Sequence, residues 1–314
     1  MTTPTNPPRL GYLLPTRENV MRGEHGVRNL LDAARIARGL GFDSLWVGDS
    51  LFARPRHDPL TLLGAVAVAA PGATLGTAVL LSALRNPVVL AQQLATLDQI
   101  CEGRLVIGAG IGADAPPVRA EFAAASVPFE RRVGRLVEGF ALCRALWRGE
   151  PVTWEGRWQL QDVTLGPQPH RPGGPLIWLA SNVDAGVERA ARLFDGWFPI
   201  GPDAATIAAR HTLLLAAASE HRRPPATTAV YLTVCIDTPD NNPEAQIDAY
   251  LAEYYGVPAP AMRRVQACKG GDTEAVMEWL QAFVRAGADH LVLRLVGNHQ
   301  RALAALAEQR HLLG

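Results

Sequence analysis

Apolar residues recur along the chain with two different spacings. Short continuous apolar runs, such as 10–14 and 75–80, have the length and composition of buried strands. Between such runs, apolar residues recur three and four positions apart, as in 27–37, which places them in one stripe along a helix. The two spacings alternate along the chain, and this alternation predicts strands and helices in regular succession.

Eight strand–helix units follow from this alternation. The predicted strands span 10–14, 44–47, 75–80, 105–107, 176–179, 196–200, 229–236 and 290–295. The helices predicted to follow them span 27–37, 59–70, 87–101, 130–148, 184–193, 203–221, 273–286 and 299–312. Strands that alternate with helices form a parallel sheet. Eight such units fit a closed (β/α)8 barrel better than an open sheet, so we predict one TIM-barrel domain over residues 1–314.

Two insertions interrupt the alternation. The first, residues 149–175 after the fourth helix, contains a hairpin pattern around Glu155-Gly156. The second, residues 238–272, lies between the seventh strand and its helix and carries Tyr250, Tyr254 and Tyr255. Loops at the carboxyl ends of barrel strands build the active site in this fold. The second insertion is therefore predicted to be a lid or substrate wall, with a packing excursion or subunit contact as the alternative.

Composition and charge exclude several classes of protein. The chain has 30 Lys and Arg against 30 Asp and Glu, and 48% of its residues are hydrophobic. This balance argues against a nucleic-acid surface, a polybasic membrane contact and disorder. The uncharged stretch 59–84 is broken by Pro71-Gly72, so it predicts a helix and a strand, not a membrane span. We expect a cytoplasmic protein, since the sequence starts without an apolar signal segment.

Metal and disulfide chemistry find little support in the sequence. The four cysteines, Cys101, Cys143, Cys235 and Cys268, are scattered without the CxxC spacing of a zinc site or a disulfide framework. The histidines form no HExxH motif. We therefore predict no metal.

A glycine-rich run follows the fourth predicted strand. Residues 108–113 read GAGIGA, which formally matches the dinucleotide motif GxGxxG/A. The match is weak, because Pro116-Pro117 follow at once and the run comes after the fourth strand instead of the first. Glycines clear side chains from a loop, so a flat or phosphorylated ligand could approach Gly110, Ile111 and Gly112 closely. A structural tight turn is the alternative.

Two further loops carry candidate chemistry. Ala180, Ser181, Asn182 and Val183 end the fifth strand and lead into a helix, where free amide groups bind phosphate. The alternative is an ordinary helix cap by Asn182 or Asp184. Asp49 places a carboxylate at the end of the second strand. Its alternative role is that of a cap or of a partner for Arg54 or Arg56.

Several segments together resemble the bacterial luciferase-like flavin-dependent oxidoreductases. Residues 41–49 (GFDSLWVGD) resemble the family's second-strand signature. Residues 85–92 (RNPVVLAQ) and 103–110 (GRLVIGAG) resemble its third helix and fourth strand. The run 146–152 (LWRGEPV) and Asp195-Gly196-Trp197 match as well. The matches occur in the correct order over about residues 10–200, and their joint spacing is specific although no single motif is decisive.

The resemblance implies a cofactor and its site. The family binds reduced flavin mononucleotide (FMN) or the deazaflavin coenzyme F420 at the barrel mouth. Its third strand ends in a non-proline cis peptide behind the flavin ring, and the matching position here is Thr77-Ala78. Asp49 and Ser50 match the ring edge, Gly110–Gly112 the glycine loop beside the cofactor, and Ala180–Val183 the loop that holds the cofactor phosphate.

Departures from the family pattern bear on the reaction. Ser50 stands where many deazaflavin enzymes have histidine, and Ala113 stands where some have glutamate. Without these acid–base groups, Asp49 is the sole candidate catalytic residue. Two reactions fit: oxygen activation by reduced flavin, supplied by a separate reductase, or hydride transfer from reduced F420 to an activated double bond. A lining predicted from Leu14, Leu80, Leu81 and Ile111 suits a small apolar or aromatic substrate.

Two other functions stay open from the residues alone. A non-catalytic flavin-binding protein on the same barrel would bind cofactor without turnover. A metal-dependent barrel hydrolase is the other alternative. Because luciferase-like proteins often pair two barrels, we also expect a homodimer, with helices 59–70 and 87–101 as its contact.

Overall fold

Hydrogen bonds close eight parallel strands into a barrel in the computed structural model, which describes residues 7–236 and 242–313. In order around the barrel the strands are β1 (Arg9–Leu13), β2 (Ser44–Val47), β3 (Thr74–Leu80), β4 (Leu105–Ala109), β7 (Leu176–Leu179), β8 (Gly196–Trp197), β9 (Thr227–Ile236) and β11 (His290–Val296). Pairing of β8 with β9 and of β11 with β1 completes the circle. The predicted (β/α)8 barrel is confirmed.

Within the described residues, helices surround the barrel and three strands lie outside it. The helices are α1 (Thr16–Met21), α2 (Arg28–Gly39), α3 (Pro59–Ala69), α4 (Pro87–Ile100), α5 (Pro116–Ala124), α6 (Arg132–Leu146), α7 (Asp184–Leu193), α8 (Ala204–Glu220), α9 (Pro243–Tyr255), α10 (Ala259–Arg263), α11 (Thr273–Arg285) and α12 (His299–Glu308). The outer strands are β5 (Val152–Glu155), β6 (Gln159–Val163) and β10 (Cys268–Gly271). No helix in the described part of the chain is long and apolar enough to cross a membrane.

Some element ends differ from the prediction. Strand 196–200 stops at Trp197, since Pro199 has no amide hydrogen for a continued ladder. Helix 130–148 begins at Arg132, after a 3-10 turn over Phe129–Arg131. Helix 299–312 ends at Glu308, and its last residues form another 3-10 turn. Each difference lies at an element boundary and leaves the number and order of the units unchanged.

Four helices were missed, and two of them begin with proline. Pro116-Pro117 starts α5, whereas the sequence analysis took this pair as a break. Pro243 likewise starts α9. Proline fits the first turn of a helix because the amide hydrogen that it lacks has no partner there. The other two missed helices, α1 and α10, have only six and five residues, too few to show a periodic pattern.

Both insertions have structure of their own. Strands β5 and β6 form the hairpin expected around Glu155-Gly156. In the second insertion, α9 and α10 are followed by β10, which pairs with the carboxyl-terminal half of β9. Residues 238–241 of this insertion lie outside the described residues.

Two tryptophans fill the barrel interior. The rings of Trp46 and Trp178 lie 5.4 Å apart between centroids. A Cβ atom on Gly76 would come within 2.3 Å of the Trp46 ring, and one on Gly196 within 2.3 Å of Trp178. These glycines are therefore required by close packing of the indole rings.

Below the tryptophan rings, toward the amino ends of the strands, lies a polar layer in which Ser44 forms hydrogen bonds to Trp46 and His290. The Ser44 hydroxyl accepts a hydrogen bond from Trp46 Nε1 and bonds His290 Nε2, both at 2.7 Å. Through these two hydrogen bonds, Ser44 joins Trp46 of β2 to His290 of β11 inside the barrel. Burial lowers the pKa of His290 to about 3, so its ring is neutral.

Aspartates tie the amino ends of neighbouring strands together. Asp43, directly before β2, accepts the amide of Leu10 in β1 at 2.7 Å. Asp195 before β8 and Asp289 before β11 do the same for Ile177 and Thr228, each at 2.8 Å. Asp43 and Asp195 belong to segments that carry the family resemblance, and their contacts assign both a structural role.

Candidate active site

The wall formed by β3 and β4 contains the cis peptide. It joins Ala78 and Val79, so the position predicted from the resemblance, Thr77-Ala78, is wrong by one residue. The regular ladder with β4 extends through Ala78, which pairs with Gly108, and the register shifts only between Ala78 and Leu80. Thr77 belongs to that ladder, and its hydroxyl donates to the Gly108 carbonyl oxygen at 2.9 Å. The Thr77 hydroxyl is therefore already engaged within the barrel wall.

Glycines bring backbone segments together along this wall. A Cβ atom on Gly108 would lie 2.2 Å from the Thr77 carbonyl oxygen, and one on Gly110 would lie 2.4 Å from Val79 Cγ2. Gly112 has a φ of +75°, a left-handed conformation that favours glycine. The structural role proposed for the glycine run is thus present. These glycines are therefore required by the close packing of β3 against β4 beside the cis peptide.

Asp49 is engaged by an arginine that the sequence analysis did not consider. Its carboxylate receives Arg85 Nη1 at 2.5 Å and Arg85 Nη2 at 3.2 Å, and also the Leu81 amide at 2.9 Å. Its side chain is only 4% exposed. The alternative pairing of Asp49 with Arg54 or Arg56 is wrong, because Arg85, in the segment after β3, binds this carboxylate. Asp49 therefore fixes the loop that follows the cis peptide.

Ser50 contacts a buried carboxylate, Glu121, that was not predicted to be part of the site. Its hydroxyl donates to Glu121 Oε1 of α5 at 2.6 Å. The same oxygen accepts the amides of Phe52 and Ala53, both at 2.9 Å. Three hydrogen bonds thus anchor the loop after β2 to α5. This contact was not predicted, because Glu121 belongs to α5, which was not among the predicted helices.

The predicted phosphate loop lies against the first turn of α7. The Ser181 hydroxyl accepts the Val183 amide at 3.2 Å, and a Cβ atom on Gly186 would lie 1.8 Å from it. Trp197 Nε1 donates to the Ser181 carbonyl oxygen at 2.8 Å, which ties this loop to β8. The loop is thus held at a helix amino terminus, where anions are stabilised.

The alternative of an ordinary side-chain cap on α7 is wrong. Val183 occupies the cap position, and no side chain caps the helix. Asn182 instead accepts the Ile200 amide at 3.1 Å, and Asp184 binds Arg210 at 3.1 Å. Their oxygens are therefore engaged away from the first turn of α7.

The second insertion supplies tyrosines to the barrel mouth. Tyr250 and Tyr254 stack with centroids 5.2 Å apart, and Tyr255 packs edge-on against Tyr254. Tyr254 accepts a hydrogen bond from Arg56 at 2.9 Å, and Tyr250 donates one to Glu18. Helix α9 is thus tied to the segments that follow β1 and β2. These contacts favour the interpretation of this insertion as a wall of the site.

Arginines surround these tyrosines. Arg294 of β11 donates to the Tyr255 hydroxyl at 2.8 Å, and its guanidinium carbon lies 4.3 Å from the Tyr254 ring centroid and 4.9 Å from that of Tyr231 in β9. Arg17 and Arg54 lie over the rings of Tyr254 and Tyr255 at 4.6 and 4.7 Å. We call this set the tyrosine–arginine cluster: Tyr231, Tyr250, Tyr254, Tyr255, Arg17, Arg54, Arg56, Arg294 and Glu18.

The cluster corrects the predicted apolar lining. Leu14 and Leu80 are fully buried in the core between the barrel and its helices, and Ile111 packs against the same core. Leu81 is buried as well. Besides the tyrosines of the insertion, the sequence signal for the cluster was a charge, Arg294, inside the buried strand 290–296. Positions 290 and 294 lie on the same face of the strand, and His290 packs against Trp46 and Trp178, so Arg294 faces the barrel interior.

Other reactive groups contribute little to this site. Burial raises the pKa of Cys101 and Cys143 to about 12 and that of Cys268 to about 11, so these thiols stay protonated. Among the residues that the structure describes, no group of three or more His, Cys, Asp or Glu side chains could hold a metal ion.

Comparisons with known proteins agree with this architecture. Residues 8–314 match the family model described as luciferase-like monooxygenase. The F420-dependent glucose-6-phosphate dehydrogenase of Nakamurella multipartita is 34% identical over 216 residues, which cover 66% of this chain and 60% of that protein. The enzyme of the same name from Intrasporangium calvum is 35% identical over 169 residues, covering 49% and 51%. The match thus spans about half to three fifths of these relatives.

A solved structure extends the likeness over nearly the whole chain. Monooxygenase RslO1 from Streptomyces bottropensis superposes with a TM-score of 0.79 and is 23% identical, covering 96% of this chain and 98% of its own. At this identity the likeness concerns the fold.

Proposed function

Since the chain belongs to the luciferase-like monooxygenase family, we propose that it transfers a hydride between coenzyme F420 and a small organic substrate. The observation that carries this proposal is the identity of 34% over 216 residues to an F420-dependent dehydrogenase. The partial coverage of that relative leaves the substrate to be found by experiment. Reduced FMN with oxygen is the competing cofactor chemistry.

We infer that the barrel mouth would hold a planar cofactor that bears a phosphate. The family resemblance puts the ring beside the cis peptide, where Gly108 and Gly110 pack closely against Thr77 and Val79. The loop Ala180–Val183 lies at the start of α7 and would hold the phosphate. When bound, reduced F420 supplies a hydride, and the protein supplies position and exclusion of water.

The residues of the mouth position the reacting groups. The Asp49–Arg85 pair would hold the loop after β3 against the cofactor, so we assign Asp49 a positioning role. The Ser50 hydroxyl donates a hydrogen bond to Glu121 and is therefore already engaged. Helix α9 would shield the mouth from water. This arrangement favours reduction of an activated double bond or carbonyl over acid–base oxidation of an alcohol.

A parallel titration of the purified protein with F420 and with reduced FMN tests the cofactor. Binding of F420 at least tenfold tighter than that of reduced FMN is the expected result, followed by oxidation of bound reduced F420 when an unsaturated acceptor is added. Preference for reduced FMN would instead assign oxygen activation with a separate flavin reductase. Binding of either cofactor without any substrate-linked turnover would favour a carrier.

The phosphate loop has its own test. Ser181→Val adds apolar bulk beside Gly186, so we expect at least a tenfold loss of affinity for F420. Affinity for the deazaflavin chromophore that lacks the phosphate should change less than twofold. Ser219→Val, at an exposed position of α8, is the matched control. Equal losses for both ligands would reject this loop as the phosphate site.

We further propose that the protein forms a homodimer through α3 and α4. Val68 on α3 is 79% exposed, and Val89 and Ile100 on α4 are 55% and 49% exposed. Burial of such side chains would favour association. Sedimentation at micromolar concentration should show a dimer, and Val68→Lys with Val89→Lys should shift it to monomer, unlike Leu215→Lys on α8. A wild-type species of only 33.7 kDa would contradict the proposal.

A further inference from the structure

We propose that the tyrosine–arginine cluster is a subsite for an anionic group of the substrate, a carboxylate or a phosphate. This inference rests on the proposed function, because it names the class of substrate that would meet the cofactor at the barrel mouth. It departs from the apolar substrate predicted from the sequence.

The first argument is charge. Four guanidinium groups meet in the cluster, and Glu18 is the one carboxylate in contact with it among the described residues. Two other carboxylates near the mouth are engaged elsewhere: Asp49 binds Arg85, and Glu121 accepts three hydrogen bonds from the loop after β2. Buried charge is retained when a partner of opposite charge compensates it. The described residues leave the cluster with an excess of positive charge.

The second argument is the lowered pKa of Arg17 at the edge of the cluster. Burial lowers the pKa of Arg17, and repulsion from Arg56 and Arg54 lowers it further, against the opposing effects of Tyr254 and Glu18. An anion placed among these groups would relieve the repulsion.

The third argument is unpaired buried polar atoms. Arg294 Nε and Tyr231 Oη have no hydrogen-bond partner among the described residues, although these side chains belong to residues only 6% and 5% exposed. Gln266 Oε1 is unpaired as well, while Gln266 Nε2 donates to Thr233 at 2.6 Å. Unpaired buried polar atoms are rare in native proteins and indicate a ligand or water.

Tyr231 and Arg294 lie on the adjoining strands β9 and β11, and Gln266 lies in the bend before β10. Thr233 pairs in register with Arg294, which brings Gln266 beside the arginine, and the Arg294 guanidinium covers the Tyr231 ring. Burial raises the pKa of Tyr231, so its hydroxyl stays protonated and can donate. A guanidinium and a hydroxyl that both donate fit an oxygen-bearing anion, since charge-assisted hydrogen bonds are the strong ones.

Benzoate and its neutral isostere benzamide test this subsite without knowledge of the true substrate. Isothermal titration of the full chain should show benzoate binding at least tenfold tighter than benzamide, with inorganic phosphate competing. Arg294→Gln should abolish the preference. Tyr255→Phe, which removes one hydroxyl and keeps the ring, should reduce it several-fold with the fold intact. Arg35→Gln on the exposed face of α2 changes the net charge equally and should leave the preference unchanged.

The outcomes separate this inference from the proposed function. Equal binding of benzoate and benzamide, or a loss in Arg35→Gln as large as in Arg294→Gln, would overturn the subsite. Competition between benzoate and F420 would assign the anion to the cofactor and overturn the assignment to substrate. Benzoate binding that depends on Arg294 in a protein that binds no F420 would support the subsite while the cofactor proposal fails.

Discussion

Two sets of buried polar groups, one toward each end of the barrel, differ in whether they are paired. At the amino end, Ser44 joins Trp46 to His290, and Asp195 joins neighbouring strands. At the carboxyl end, Arg294 and Tyr231 carry buried polar atoms without a partner among the described residues. Asp98 and Arg104, before β4, also carry unpaired buried atoms, so the contrast lies between the Ser44 layer, whose groups satisfy one another, and the Arg294–Tyr231 pair, whose groups do not.

This difference separates stability from function. A buried donor that meets a buried acceptor contributes to folding, whereas one left unpaired costs free energy. In (β/α)8 barrels the amino-terminal face holds the fold and the carboxyl-terminal face carries the chemistry. We therefore expect substitutions at the two ends to affect different measurements.

The largest effect is expected at the amino end. Ser44→Ala removes one hydroxyl and leaves Trp46 Nε1 and His290 Nε2 without their hydrogen-bond partner in the core. Two such groups cost together about 2–4 kcal/mol of unfolding free energy. Urea denaturation at pH 7 measures this loss, and affinity for F420 should stay within twofold. A loss below about 0.5 kcal/mol would show that this layer does not depend on its hydrogen bonds.

Acid should destabilise the same layer by a smaller amount. His290 is neutral in the fold with a pKa of about 3, against an ordinary value of 6.5, so the unfolded chain binds the proton first. Its contribution is complete above pH 6.5 and decreases as the pH falls toward 3, by about 1.4 kcal/mol per pH unit. Between pH 6.5 and 5 the loss is about 2 kcal/mol.

Urea denaturation at pH 7 and pH 5, for wild type and His290→Gln, measures this contribution. The variant should lose about 2 kcal/mol less than wild type over that interval. Burial also lowers the pKa of His211 and His299, and their effect cancels in the difference between the two proteins. Parallel losses in both proteins would assign the acid sensitivity to other groups.

The barrel was predictable because its signals are local. Runs of apolar residues and stripes at helical spacing gave strands 44–47 and 176–179 and helix 184–193 with the bounds that the structure has. Helix α5 was missed because Pro116 and Pro117 were taken to prevent a helix. Proline is in fact favoured in the first turn of a helix, and α5 begins with this pair.

The candidate site was less predictable because its contacts join distant residues. Asp49 was identified as a residue of the mouth, but its partner Arg85 lies 36 positions further along the chain. The cluster depends on a tyrosine of β9, three of the insertion and four arginines from three other segments. Tyr250, Tyr254 and Tyr255 were predicted to lie in a lid or substrate wall, whereas Arg294 was missed although it is a charge at an inward position of a buried strand.

The smallest effect on stability is expected at the carboxyl end, and it is the matched counterpart of Ser44→Ala. Tyr231→Phe also removes one buried hydroxyl, but this hydroxyl has no partner among the described residues, so its loss leaves no atom there newly unpaired. Unfolding free energy should change by less than about 0.5 kcal/mol, or increase slightly. Benzoate affinity should fall several-fold, because the Tyr231 hydroxyl would donate to the anion. A loss of stability comparable to that of Ser44→Ala would show that the two ends do not differ in this way.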